Sequence, residues 1–179
     1  MGELIHLEEL RWRRLARAAF ARWPQRLGYQ PPPKARLSHL PDLVVGFLAE
    51  LRHLATLALY DVVLGVRGLG PGERFHYLEA EHKVEALDAF LFLTDQVRFE
   101  LMRRLGWVEG LAAEHYPIVE LAARAREIRR SFRPEVPRLT PAYPRYQEVA
   151  RRLKIEPGAV VRSLIPEALR RFRRRISGG

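Results

Sequence analysis

Acidic and histidine side chains recur at metal-binding spacing in the middle of the chain. They are, in chain order, Glu50, His53, His82, Glu85 and Asp88. Carboxylates and imidazoles three residues apart on facing helices are the ligands of di-metal sites in helical bundles. If residues 41–66 and 72–105 pair as antiparallel helices, facing residues have numbers that sum to about 138, so His53 would face Glu85. The five residues are therefore candidate metal ligands.

The same five residues allow two interpretations. Glu85 and Asp88 form an E-x-x-D pair that resembles the second metal-binding pair of the all-α nucleotide pyrophosphohydrolases. This resemblance implies a metal-dependent hydrolase, but His53 stands where the first pair has a carboxylate, and magnesium prefers oxygen ligands. The alternative is that they are ordinary exposed charges or salt-bridge partners on long helices. We favour that alternative and assign no metal or other cofactor.

Positive charge is the second chemical feature, and it is concentrated at the C-terminal end. Residues 1–120 contain 15 Lys and Arg against 16 Asp and Glu, a net charge of −1. Residues 121–179 contain 16 against 5, a net charge of +11. Such asymmetry predicts a polyanionic partner, either nucleic acid or an anionic surface. The alternative is a basic surface that is merely solvated.

The segment from Tyr146 to Leu164 has the pattern of two short helices that cross at a tight turn. Ala150 is small enough for a close crossing, and Pro157 suits the first turn of a second helix. Apolar residues stand where such a pair packs together: Val149, Leu153, Ile155, Val160 and Leu164. Two features depart from the pattern. Lys154 stands where the turn commonly has glycine, and Pro166 should kink or end the second helix.

This segment resembles the helix-turn-helix of sigma-factor region 4, which commonly has the pattern Y-x-E-[IV]-A-x-x-L-x-[IV]-x-x-x-[AT]-V-x-x-x-L. The resemblance covers about 146–175 and implies DNA binding, with the second helix in the major groove. The residues that would approach base edges are Gly158, Ala159, Val161, Arg162 and Ser163. Those that would bind phosphates are Arg151, Arg152, Arg170, Arg171, Arg173, Arg174 and Arg175.

Prolines and glycines divide the chain into the elements that position these residues. Apolar residues recur at helical spacing over four segments, which we predict as helices at about 3–22, 41–66, 72–105 and 117–132. Four prolines, at 134, 137, 141 and 144, predict a stiff linker. The predicted fold is all-α, a helical bundle built on a long antiparallel hairpin. Its parts are a core and dimerisation domain at 1–133, a linker at 134–144 and a basic module at 145–179.

Segments 41–66 and 72–105 are apolar on most sides, so most sides have to be buried. The other helices cover only part of that surface, and we predict a homodimer through these two segments. No uncharged stretch approaches the ~20 residues of a membrane-spanning helix. The acidic residues near the start do not suit a secretion signal, and cysteine is absent. We therefore expect a cytoplasmic protein without a membrane partner.

The sequence favours a role without catalysis, because it has no Walker loop, no G-x-G-x-x-G after a strand and no G-x-S-x-G. The leading hypothesis is a nucleic-acid-binding protein, with DNA favoured, of the kind that includes transcriptional regulators. It would act through the module at 145–179. The alternatives are a helical scaffold or adaptor, and a metal-dependent hydrolase that uses Glu50, His53, His82, Glu85 and Asp88.

Overall fold

The computed structural model describes residues 2–132 and 135–178, with side chains from residue 6 onward. Met1, Arg133, Pro134 and Gly179, which bound the predicted domains and linker, lie outside the described residues. Helix accounts for 71% of the structure and strand for 2%, which confirms the all-α prediction. The α-helices are α1 (Gly2–Phe20), α2 (Trp23–Leu27), α3 (Asp42–Ala49), α4 (His53–Gly65), α5 (Ala80–Arg104), α6 (Ile118–Ala123), α7 (Ala125–Ser131), α8 (Tyr146–Ile155), α9 (Pro157–Ser163) and α10 (Ile165–Ser177).

Short elements connect these helices. The 3-10 turns lie at Leu37–His39, Gly72–Tyr77 and Ala112–Glu114. Strands β1 (Val108–Glu109) and β2 (Arg138–Leu139) pair antiparallel, with Val108 opposite Leu139. The segment predicted to begin the helix at 72–105 is therefore a 3-10 turn, and α5 starts only at Ala80.

The prediction of one continuous helix over 41–66 is wrong, because the helical conformation is interrupted between α3 and α4. Leu51 adopts a left-handed backbone conformation with φ 54°, and the two helices are bent by 97°. A left-handed non-glycine residue costs roughly 1–2 kcal/mol. The bend offsets this cost because it gives the two halves of one apolar segment different sets of neighbours. Both halves contact α5, but the first also packs against α10, whereas the second also packs against α1, α2 and α6.

Helix α4 lies at the centre of the molecule and is buried throughout from Ala58 to Gly65. Gly65 permits its close crossing with α1, since a Cβ on Gly65 would lie 2.8 Å from the Cα of Ala19. The indole of Trp23 is fully buried and donates a hydrogen bond to the carbonyl oxygen of Ala58 at 3.0 Å. The N-terminal helices are thus held to α4 by close packing and by a buried hydrogen bond.

A buried carboxylate on α4 joins three segments. Asp61 forms a salt bridge with Arg26 and accepts a hydrogen bond from the backbone N–H of Gly72 at 2.7 Å. Both side chains are nearly inaccessible to solvent. The guanidinium of Arg26 also contacts Glu73 at 2.8 Å, at the protein surface. Because both oxygens of Asp61 have donors, its desolvation is compensated, as a buried charge requires.

Arg104 near the end of α5 has a similar role in the other half of the core. Its guanidinium donates to the carbonyl oxygens of Leu37 and Leu40 at 2.9 and 2.8 Å. It also forms salt bridges with the buried Glu100 at 2.8 Å and with Asp42 at 2.6 Å. This one side chain therefore holds the loop before α3 against α5.

The predicted linker packs against the helical core. Val136, Leu139 and Tyr143 are buried, and the ring of Tyr143 meets that of Trp107 edge-on at 4.8 Å. One hydrophobic cluster includes residues from both the predicted core domain and the predicted module. The division of the chain into these two domains stays a prediction.

Among the described residues, no single helix is long and apolar enough to cross a membrane. Helices α3 and α4 would meet the requirement only together, and they are bent by 97°.

Replacement of Asp61 by alanine tests the buried salt bridge. We expect Asp61→Ala to lower the free energy of unfolding by about 3 kcal/mol, because it leaves Arg26 without its buried acceptor and Gly72 without a partner. Urea denaturation followed by circular dichroism measures the loss. The control is Glu73→Ala, which removes a half-exposed carboxylate from the same guanidinium and should cost less than about 1 kcal/mol. Equal losses in the two variants would contradict this assignment.

Candidate nucleic-acid interface

Helix α10 turns one apolar face into the core. Ala168 and Phe172 are buried, each with a relative exposure of 1%. Opposite them on α3 is Gly46, where a Cβ would lie 3.0 Å from Cδ1 of Ile176 and 3.4 Å from the ring of Phe172. The absence of a side chain at Gly46 therefore lets α10 lie close against α3. This packing fixes the rotation of α10 about its own axis.

The opposite face of α10 carries arginines. Because a helix has 3.6 residues per turn, Arg170, Arg171 and Arg174 share one side. All three are exposed, and no carboxylate of the described chain lies within 4 Å of them. With Arg145, Glu167 and Arg175 they line a concave region of about 730 Å³. We call Arg145, Arg170, Arg171 and Arg174 the arginine surface.

Arg145 joins this surface from the start of α8 and was not among the predicted site residues. Its guanidinium contacts Glu167 of α10 at 2.8 Å, and the hydroxyl of Tyr143 donates to the same carboxylate at 2.9 Å. Burial opposes ionisation of Glu167, but these hydrogen bonds outweigh it and lower the pKa of the carboxyl. The charge of Glu167 is thus already engaged by Arg145 and Tyr143.

Three of the predicted arginines contact carboxylates of other helices. Arg162 reaches Asp95 at 3.1 Å, Arg173 reaches Glu50 at 2.9 Å, and Arg175 reaches Asp42 at 3.2 Å. Arg152 of α8 pairs with Glu156, the residue that follows this helix, at 3.0 Å, whereas Arg151 is exposed and has no such contact in the described chain. The predicted arginines therefore divide into tethered and free groups, a distinction that residue types alone do not show.

Helices α8 and α9 follow the predicted boundaries but do not present the predicted reading face. The turn between them falls at Glu156, and Pro166 lies in the first turn of α10, so the predicted interruption at this proline is confirmed. Val161 was expected to approach base edges, which is wrong, because its side chain is buried completely. The hydroxyl of Ser163 donates to the carbonyl of Val160 at 2.7 Å. The apolar side of α9 therefore packs against the core.

The predicted metal ligands do not converge. Glu50 contacts arginines 52 and 173, each at 2.9 Å, and Asp88 contacts Arg129 at 2.6 Å. His53, His82 and Glu85 are exposed. Within the described ranges, no group of three or more His, Asp or Glu side chains could hold a metal ion. The expected convergence required one straight helix over 41–66, and the bend at Leu51 removes that geometry.

Glu85 and Asp88 instead line a charged groove of about 650 Å³ between α5 and α7. Arginines 67, 124, 126 and 130 lie along the same groove. Burial lowers the pKa of Arg67, whose guanidinium donates to the carbonyl of Val63 at 2.7 Å and that of Ala122 at 3.2 Å. Since arginine stays charged even so, the groove contains charges of both signs.

No protein-family model, curated protein sequence or solved structure matches this chain. Its function has to be inferred from its own residues.

Replacement of Phe172 tests whether the basic helix is part of the core. We expect Phe172→Ala to lower the free energy of unfolding by about 3–5 kcal/mol, because it removes a fully buried aromatic side chain. Urea denaturation should still give a single transition. The matched control is Ile155→Ala on α8, where a side chain that is 80% exposed should change stability by less than about 0.5 kcal/mol. A small loss at Phe172, or a separate transition for the C-terminal helices, would contradict the packing described.

Proposed function

We propose that this protein binds nucleic acid through the arginine surface. The observation that carries the proposal is the set of three exposed arginines, Arg170, Arg171 and Arg174, on one face of a helix anchored in the core. A guanidinium without a carboxylate partner retains its full charge for a phosphate, to which it can donate two parallel hydrogen bonds. Among the residues that the structure describes, one acidic side chain, Glu167, lines the same concave region with five arginines.

The charge distribution supports a polyanionic ligand at this end of the chain. The net charge of +11 belongs to residues 121–179, whereas residues 1–120 are nearly neutral. Such a field attracts nucleic acid over distances comparable to the Debye length, about 8 Å at physiological salt. The exposed Arg151 on α8 adds a further free cation.

The tethered arginines contribute in a different way. The side chains of Arg162, Arg173 and Arg175 are about half exposed, with relative accessibilities of 42%, 57% and 51%. Exposed ion pairs contribute only about 0.2–1 kcal/mol each, so a phosphate can replace the carboxylate at small cost. We infer that these three arginines can exchange their carboxylate partners for phosphates and so add contacts around Arg170, Arg171 and Arg174.

Recognition through phosphates is the mode that this arrangement favours. Base reading by α9 would require its side chains to enter the major groove, but Val161, one of the residues expected to approach base edges, is buried. Arg162 is the one side chain of α9 that could make a bidentate guanine contact, and it is paired with Asp95. Phosphate contacts fix position and carry no sequence information. We therefore infer a nucleic-acid-binding protein with little dependence on base sequence.

A triple substitution tests the arginine surface. We expect Arg170→Ala, Arg171→Ala and Arg174→Ala together to weaken binding to a fluorescent duplex and to reduce the salt slope by about 2–3, since each lost phosphate contact reduces it by ~1. Fluorescence anisotropy at graded salt gives both quantities. The control removes three exposed arginines of α1, Arg11, Arg14 and Arg17, with the same change in net charge. Equal effects of the two triple variants, or binding to anionic lipid vesicles without binding to nucleic acid, would contradict the proposal.

Duplexes of different base sequence test whether recognition depends on phosphates alone. We expect duplexes of equal length but unrelated sequence to bind with similar Kd, and Arg162→Ala to weaken all of them equally. A bidentate guanine contact would instead contribute about 1–3 kcal/mol at one base pair. Competition with a panel of duplexes, with and without Arg162→Ala, measures the difference. A strong sequence preference that disappears in the variant would show that α9 reads bases after all.

A further inference from the structure

Four exposed apolar residues form a continuous line along the first half of α5. They are Ala80, Val84, Leu87 and Leu91, which we call the apolar stripe. Val84, Leu87 and Leu91 have relative exposures of 65%, 43% and 54%. Their spacing of four, three and four residues is that of positions a and d in a coiled-coil heptad. The stripe extends over about 16 Å at 1.5 Å per residue.

The rest of α5 explains why this line requires a partner. Ala86, Ala89, Phe90 and Leu93 turn the opposite side of the helix into the core. The stripe is therefore additional to the apolar residues that the fold itself uses. Large apolar side chains scattered singly on a surface are ordinary, but a contiguous line of them marks a binding surface.

We propose that a second copy of this chain covers the apolar stripe, with the two α5 helices parallel about a two-fold axis. In parallel coiled coils, valine at position a with leucine at position d, as in Val84 and Leu87, favours two strands over three or four. In this arrangement each residue of the stripe meets its own counterpart. Such an interface is self-complementary, as two-fold symmetry requires.

The charges beside the stripe favour the same orientation. Lys83 occupies position g and Asp88 the following position e, so parallel helices bring Lys83 of one copy beside Asp88 of the other. Lys83 has no ion pair in the described chain, and Asp88 remains one-third exposed although it contacts Arg129. Antiparallel helices would instead oppose position e to position e, which brings Glu81 against Asp88. Like charges in that arrangement are destabilising.

The position of the stripe avoids repulsion between the basic ends. Helix α10 packs beside the other half of α5, where Arg175 donates to the carbonyl of Arg104 at 2.8 Å. Thirteen residues, about 20 Å, separate Leu91 from Arg104 along the helix. Parallel pairing therefore keeps the arginine surfaces away from the contact but places both at the same end of the dimer. The dimer itself does not depend on the proposed nucleic-acid binding.

Sedimentation measurements without nucleic acid test the dimer. We expect the mass to rise with concentration from 20.8 kDa towards twice that value, and Leu87→Glu to remain a monomer throughout. The control is Leu43→Glu on α3, an equal change at a side chain that is 68% exposed outside the stripe, which should still dimerise. Circular dichroism checks that both variants are folded. A monomeric wild type at every concentration, or a Leu87→Glu variant that dimerises normally, would overturn the proposal.

Cysteine cross-linking tests the orientation, and the chain is suited to it because it contains no cysteine. In the parallel dimer, Val84→Cys faces its own counterpart, so mild oxidation should link two copies through one disulfide. An antiparallel dimer would instead bring residue 80 opposite residue 91. A covalent dimer from Val84→Cys alone supports the parallel arrangement. No covalent dimer from Val84→Cys, together with efficient linkage between Ala80→Cys and Leu91→Cys chains, would overturn it.

Discussion

Burial of Phe172 and Ala168 against α3 and α5 is the contact on which the functional surface depends. Because these side chains face the core, a helix of 3.6 residues per turn must direct Arg170, Arg171 and Arg174 outward. Gly46 makes the contact possible by leaving room for the ring of Phe172. The same apolar residues therefore stabilise the fold and orient the guanidinium groups. A basic helix without this anchor would present no defined surface.

The distribution of carboxylates then decides which arginines are free. Asp61 and Glu100 are buried, and each is paired with arginine in the core, so those charges serve the fold. Asp42, Glu50 and Asp95 lie at the surface and contact three arginines of the last two helices. What remains in the described part of the chain is a compact group of cations beside Glu167, which is already engaged. This group of cations, more than the total charge of the chain, is the basis of the proposed function.

The bend at Leu51 has consequences at both ends of the molecule. It allows α3 to lie beneath α10, and it allows α4 to occupy the centre of the N-terminal half. It also removes the straight hairpin on which the predicted metal site depended, since Glu50 and His53 lie on opposite sides of the bend. Local sequence offers no proline or glycine at this point. The bend follows from the need to bury an apolar segment on nearly all sides, which is a property of the whole fold.

The sequence alone determined the all-α class and the interruption at Pro166, through periodicity and proline positions, and the concentration of arginine in the last third, through residue counts. These features depend on residues within a few positions of each other, so a linear pattern contains them. Only the tertiary structure decided the break at Leu51, the burial of Val161 and the inclusion of Arg145 in the site. It also decided which arginines are tethered, because Arg162, Arg173 and Arg175 find carboxylates 67, 123 and 133 residues away. Contacts over such separations arise from the packing of helices, which local preferences do not encode.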